Sequence, residues 1–319
     1  MPRFDVTVAG ELNVDLILYG LPTELPPERE LLANRMVLTL GSSSAIVAHN
    51  LASLGSHVGF QSLIGSDDLG QIALNHLRDG GVDVSKVRCS DGRQSGLTVI
   101  LYHDSGRKIL TYPGTIAELT IADLNLDYLA DSRHFHLASF YLQSRLRPDV
   151  PDLFKRMKAA GLTTSLDTND DPEDRWGDDL REVLRHVDIF LPNAREACRI
   201  TATEDVESAV QQLANLVPLV VVKLGRDGAL ACRAKDKMRS PAISVDAVDP
   251  VGAGDSFDAG FLHQYLKGGD LASCLASGNL AAALSVTRPG GTEAFRDKPH
   301  RDRFLREHAP AASSRALSS

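Results

Sequence analysis

The 319-residue sequence predicts an α/β protein with a mostly parallel central sheet covered by helices and a small β-sheet set apart from it as a lid. Three observations predict this. Strand-like apolar runs alternate with amphipathic helix-length segments, the βαβ rhythm of a parallel sheet. Two stretches break that rhythm with short apolar alternations. Finally, Asp167, Asn193, Gly225 and Asp249 all fall at the carboxyl ends of strand-like runs, where open α/β sheets bind ligands.

The elements follow in order. "FDVTVAG" reads as a first strand ending on glycine. "SAIVAHNLASLG" (44–55) reads as a helix with Ser44 as N-cap and Gly55 just past its end. Strand-like "HVGFQSLIG" and helix-like "DDLGQIALNHLRDGG" follow. The rhythm resumes later with strand "HFHLAS", a helix over 150–160, strand "TTSLDTN", "HVDIFLPN" leading into helix "AREACRIT", and the strand–turn–strand "PLVVVKLGRDGALACRA". The breaks are residues 12–40, with three prolines around short alternations, and 95–115, two strands around a Ser-Gly turn. Both are assigned to the lid. One domain is expected over 1–308, and the small, polar 309–319 is expected as a flexible tail.

Composition narrows the class. A net charge of −8, from 34 basic and 42 acidic residues, argues against non-specific binding to nucleic acid or anionic membranes. It leaves room for a small anionic ligand at a local positive site. Four well-separated cysteines (Cys89, Cys198, Cys232, Cys274) have no metal-finger spacing and read as reduced thiols. No stretch approaches the roughly 20 apolar residues of a membrane helix. A cytoplasmic protein is expected.

The chemistry concentrates in "DPVGAGDSFDAGF" (249–261). Phe257, Phe261 and Tyr265 recur every four residues, so Asp255 lies in the first turn of a helix preceded by Gly252, Ala253 and Gly254. A helix N-terminus offers unpaired N–H groups and partial positive charge. Small residues let a ligand reach those amides, which makes an anion hole. Asp255 either caps the helix or accepts the proton of a hydroxyl attacking a phosphoryl group.

This motif closely resembles the C-terminal signature of the PfkB, or ribokinase-like, carbohydrate kinases, and the likeness runs from "VAGELNVDLIL" to "LSVTRPGGTEAF". The resemblance implies a ribokinase-like three-layer α/β/α fold and an ATP-dependent sugar kinase. Asp255 would be its catalytic base and the 252–254 backbone its anion hole. "LPNAREACRIT" carries the family's N-x-x-E, implying that Asn193 holds phosphate oxygens or water and that Glu196 organises the water shell of Mg²⁺. Gly225 and Gly228 would let the backbone pass along ATP, and Asn279 would line the adenine pocket. Lys223, where relatives often have a small hydroxyl residue, either reaches a phosphate or is a solvated strand-end lysine. Asp249 and the 287–291 turn fall where many relatives bind a monovalent cation such as K⁺.

At the substrate end, "GELNVDLIL" resembles the family's first strand, which implies that Asn13 and Asp15 meet the sugar hydroxyls, with Asp15 as the main contact. A carboxylate accepts two donors, a geometry suited to a vicinal diol. The next element departs from the family, which usually shows two glycines and a sugar-binding asparagine. Here Gly41 and the serines Ser42, Ser43 and Ser44 line the approach, and Ile46 stands at the asparagine position. The departure bears on which alcohol is phosphorylated. Arg107 is assigned as a solvated hairpin residue.

No G-x-G-x-x-G follows the first strand, and no P-loop or H-E-x-x-H motif occurs, which excludes three common enzyme classes. The competing readings are a nucleoside kinase of the same family and a catalytically silent sugar-binding relative. Relatives often dimerise through their lids, so a homodimer is expected.

Overall fold

Short runs of β-branched and apolar residues form the strands, and the computed structural model describes residues 2–308 of the chain. Residues 309–319, expected as a tail, lie outside the described residues. In chain order the strands begin β1 (Phe4–Ala9), β2 (Asn13–Leu21), β3 (Arg35–Leu40), β4 (Val58–Gln61), β5 (Leu63–Gly65), β6 (Arg88–Ser90) and β7 (Gly96–His103). They continue with β8 (Gly106–Tyr112), β9 (Ser132–Leu137), β10 (Thr163–Leu166), β11 (Ile189–Phe190), β12 (Leu219–Lys223), β13 (Ala229–Arg233) and β14 (Asp236–Ser240).

The main sheet runs β14-β13-β12-β11-β10-β9-β1-β4. It is parallel from β4 through β12 and antiparallel at β13 and β14. Strand β12 shows why its sequence lacks a polar face. Val220 and Val222 join the core on one side with Phe135 and Leu137. Leu219 and Val221 join the core on the other side with Val6, Val8 and Phe60. Covering both faces with helices produces the three-layer α/β/α arrangement and near-continuous apolar strands.

The two stretches that break the alternating rhythm supply a four-stranded sheet ordered β3-β2-β7-β8. Its period-2 alternation puts Asp15, Ile17 and Tyr19 on one face. Register aligns Asp15 with Thr98, and Thr98 with Thr111, while Ile17 aligns with Ile100 and Ile100 with Ile109. This face looks onto the carboxyl ends of the main-sheet strands. The opposite face carries the row Leu38, Leu16, Val99 and Leu110, with Leu38 and Leu110 exposed.

Three local expectations are corrected. Helix Ser43–Ser53 is capped by Ser42, whose hydroxyl accepts from the Ala45 N–H. Ser44 instead donates its hydroxyl to the Glu11 carboxylate at 2.6 Å, because that buried acid needs partners. "HVGFQSLIG" divides into β4 and β5, and β5 leaves the main sheet to pair with β6. The strand in "HVDIFLPN" shortens to Ile189–Phe190. Among the described residues no helix is long and apolar enough to cross a membrane.

Candidate active site

The helix Ala253–Leu266 begins at Gly252, which is left-handed at φ 72° and offers no side-chain cap. A Cβ there would come within 2.4 Å of the Gly291 Cα, so only glycine fits both the backbone and the contact. The Ala253 N–H turns back to the Pro250 carbonyl at 3.3 Å. Asp255 does not cap the helix. It sits in the first turn, 8% exposed, at the floor of the cleft. Burial, and then the nearby Asp167, push its pKa up to about 7, while Lys223 and the Ser43 hydroxyl oppose the rise. A carboxyl titrating near neutrality is suited to taking a proton.

Lys223 is neither solvated nor aimed outward. Its ammonium bonds Asp167 at 2.6 Å and both oxygens of Asp258 at 3.1 and 3.3 Å. Gly254 passes directly over it, with a Cβ at that position falling 3.6 Å from Nζ. Burial opposes the lysine's charge, but Asp167 and Asp258 outweigh it and raise its pKa. Burial alone would raise Asp167, yet Lys223 and several hydrogen bonds hold it low. Asp258, one helical turn beyond Asp255, is raised well above the ordinary range by burial, against the pull of Lys223. The strand-end lysine is therefore a fixed buried charge beneath the glycine loop.

Asn193 and Glu196 form a reciprocal capping box at helix Ala194–Thr201. Glu196 accepts from the Asn193 backbone N–H at 2.9 Å and from its side-chain amide. Each carboxylate oxygen thus uses one acceptor position and keeps another for a metal-bound water. Burial and Asp167 raise Glu196 to about 7, with Lys223 opposing, so a cation beside it would favour the charged form. This donor set fits a Mg²⁺ that keeps its waters. Gly225, at φ 61°, has open space where a side chain would stand, whereas a Cβ on Gly228 would strike the Ser240 carbonyl at 2.0 Å. Gly228 is needed for packing. The Asn279 amide is likewise committed, donating to the carbonyls of Ser240 and Pro241 at 3.2 and 3.0 Å.

Across the cleft, Asp15 is 6% exposed. Burial, then Asp255 and Asp249, raise it to about 7, opposed by Arg107 and Asn13. Asn13 itself donates to the Val14 carbonyl and the Thr98 hydroxyl. A Cβ on Gly41 would fall 2.1 Å from an Asp15 oxygen, so the bare backbone makes room for that carboxylate. Ser42 donates to the Glu11 carbonyl and Ser43 accepts from Asn169. Both serines line the same cleft as Asp15 and Asp255. Ile46 reaches the opposite wall, packing on Gly252 and Gly291. Arg107, expected in solvent, also lines this cleft while remaining exposed, and it donates to the Tyr102 hydroxyl at 3.3 Å.

Asp249 is fully buried at the start of the glycine loop. One oxygen accepts from Tyr102 at 2.5 Å and from the Val251 N–H at 2.9 Å. The other accepts from Tyr19 at 2.7 Å and from the Gly290 N–H at 3.0 Å. Sequence reasoning missed both tyrosines, together with Asp258, Asn169 and Ser139. Tyr19 carried a usable signal, since it lies four residues from Asp15 on the same strand face. Asp258, three residues after Asp255 on one helix, carried another.

A cleft with an acid at a glycine-started helix N-terminus, closed by a β-sheet lid, defines a small-molecule phosphotransferase of the α/β class. The profile of the pfkB family carbohydrate kinases matches residues 3–298, and the chain belongs to that family. It is 32% identical to an ATP-dependent ribose-1-phosphate kinase of Halopiger xanaduensis, over 91% of this chain and 94% of the relative. It is 28% identical to an aminoimidazole riboside kinase of Salmonella typhimurium, over 96% of each. An E. coli chain assigned to ribokinase II, solved in complex with ATP and Mg²⁺, superposes with a TM-score of 0.80 at 26% identity, covering 96% of this chain and all of that one. The fold is ribokinase-like. The protein is an ATP-dependent carbohydrate kinase, of the sugar and nucleoside kinase class.

Proposed function

We propose that the protein transfers the γ-phosphoryl group of ATP to a primary hydroxyl of a sugar or sugar-like alcohol. The observation that carries this reading is Asp255, raised to about 7 and facing the same cleft as Asp15. The acceptor hydroxyl loses its proton to the Asp255 carboxylate as its oxygen attacks the γ-phosphorus. The bond to the bridging oxygen breaks, and ADP leaves. The 252–254 backbone and the helix N-terminus stabilise negative charge on the equatorial oxygens. Lys223 sets a fixed positive charge under that loop.

Asp15 orients the far side of the acceptor through paired hydroxyl donors, helped by Asn13 and the Gly41–Ser42–Ser43 segment. Asn193, Gly225, Gly228 and Asn279 form the nucleotide side. Mg²⁺, held with the help of Glu196 through water, supplies positive charge that offsets the surrounding acids and the phosphates. Closure of the lid excludes water and limits ATP hydrolysis. Free thiols at Cys89, Cys198, Cys232 and Cys274 support a cytoplasmic setting. The exposed apolar face of the lid supports a homodimer.

A nucleoside acceptor is the second reading. Ile46, Ile109, Ile116 and Leu142 line the cleft beside its polar groups, a wall suited to an apolar or aromatic aglycone. An ADP-release screen over free sugars, sugar acids and nucleosides decides between them. Turnover with free sugars supports the main reading, turnover confined to nucleosides promotes the second, and no turnover with any acceptor overturns both.

A further inference from the structure

The Asp249 carboxylate has four lone-pair positions, and four donors fill them: two tyrosine hydroxyls and two backbone amides. A monovalent cation needs oxygen lone pairs pointing at it. Here every position on this acid already faces a hydrogen, so the carboxylate does not fit the part of cation ligand that the sequence resemblance implied for it.

The origin of the donors gives the arrangement a purpose. Tyr19 comes from β2 and Tyr102 from β7, both on the lid sheet. Their rings stack with centroids 5.0 Å apart. Arg35 lies 5.5 Å from the Tyr19 ring centroid, and Arg107 reaches the Tyr102 hydroxyl. The amides come from the other side of the junction. Val251 immediately precedes Gly252, and Gly290 belongs to the turn that packs against it. One buried carboxylate thus ties the lid to the backbone of the anion hole.

We propose that Tyr19 and Tyr102 are positioning residues that latch the lid to the glycine loop through Asp249 and take the place of a monovalent cation, making the enzyme independent of K⁺. The proposal rests on the kinase reading for its catalytic consequence, while the latch itself rests on geometry alone. With the hydroxyls in place, the loop before Gly252 is held by neutral donors that do not depend on the ionic composition of the medium. Removing them frees acceptor positions on a buried acid, which a small cation can then occupy.

The test compares wild type with Tyr19→Phe, Tyr102→Phe and the double variant, which keep the stacked rings and lose only the hydroxyls. Initial rates and melting temperatures are measured in KCl, NaCl or tetramethylammonium chloride at a matched ionic strength of about 0.1 M, so that general screening is equal. Wild type should turn over and melt alike in all three salts. In tetramethylammonium chloride the double variant should lose about 10- to 100-fold in kcat, the scale of a misplaced reacting group. KCl should restore part of that loss and raise its melting temperature. Strong K⁺ activation of wild type, or a double variant with wild-type kcat in tetramethylammonium chloride, overturns the latch. If no acceptor is turned over, the kinase reading fails by itself and the melting temperatures decide the latch: a wild type that K⁺ stabilises over tetramethylammonium, or a double variant that it does not, overturns the proposal.

Discussion

Asp249 and Asp255 bracket the same glycine loop, and their neighbours give them opposite roles. Asp249 is buried among donors on every side, whereas Asp255 is buried among acids and keeps a face on the cleft. Its elevated pKa makes a specific kinetic claim. Asp255→Asn should lower kcat by about 10² to 10⁴ while leaving ATP affinity nearly unchanged. A variant with wild-type turnover would remove Asp255 from the role of base. In wild type, kcat/KM should fall as pH drops through about 7, because the base becomes protonated. Linkage adds a second observable. A carboxyl raised in the folded state holds its proton there when the unfolded chain has lost it, so its stabilising contribution is present at low pH and is lost as pH rises through about 7. Asp255→Asn has no such proton to lose. Its melting temperature relative to wild type should therefore rise between pH 5 and pH 8, and a pH-independent difference would contradict the assignment.

Strand β12 and helix Ala253–Leu266 meet at Lys223, and the element scale explains what the residue alone could not. A lysine at a strand end is ordinarily solvated. Here the parallel sheet delivers it under the first turn of a helix, between Asp167 from β10's end and Asp258 from the helix itself. Lys223→Met would leave two buried acids without their counter-charge. Loss of one partner from a buried ion pair costs roughly 3–5 kcal/mol, readable as a lowered denaturation midpoint. The same substitution should lower kcat, since the charge beneath Gly254 disappears. A variant as stable as wild type would show that the acids are protonated and need no counter-ion. The Asn193–Glu196 pair illustrates the converse. Its three-residue spacing is legible as a helix start, and the structure shows that capping uses one acceptor position on each carboxylate oxygen and leaves the other open.

At the scale of the whole molecule, the lid has two faces with different tasks. The inner face carries Asp15, the tyrosines and Arg107 toward the cleft. The outer face exposes Met36, Leu38, Leu110 and Tyr112, an apolar surface beyond the end of the sheet where Val14 and Leu40 pack with Ala73 and Leu77 of helix Asp68–Asp79. Sedimentation or light scattering should give a dimer for wild type. Leu110→Glu should shift it toward monomer by placing a charge in the contact, and a wild-type monomer at micromolar concentration would refute lid pairing. Much of this architecture was legible in the sequence. The βαβ rhythm, the two interrupting segments and the glycine-flanked acid are local patterns with a fixed period or spacing, and a short window suffices to read them. The sequence also placed Asp255 in the first turn of a helix behind a bare glycine loop, because the recurrence of Phe257, Phe261 and Tyr265 every four residues marks where that helix starts. Only the tertiary structure decided that Lys223 is buried, that Arg107 faces the cleft, that Ile46 packs on the glycine loop, and that Asp249 is held by tyrosines. Tyr19 and Tyr102 lie 230 and 147 residues from that acid. Contacts over such separations leave no periodic trace along the chain, because they arise only when the packing of the sheet, the helix and the lid brings the groups together.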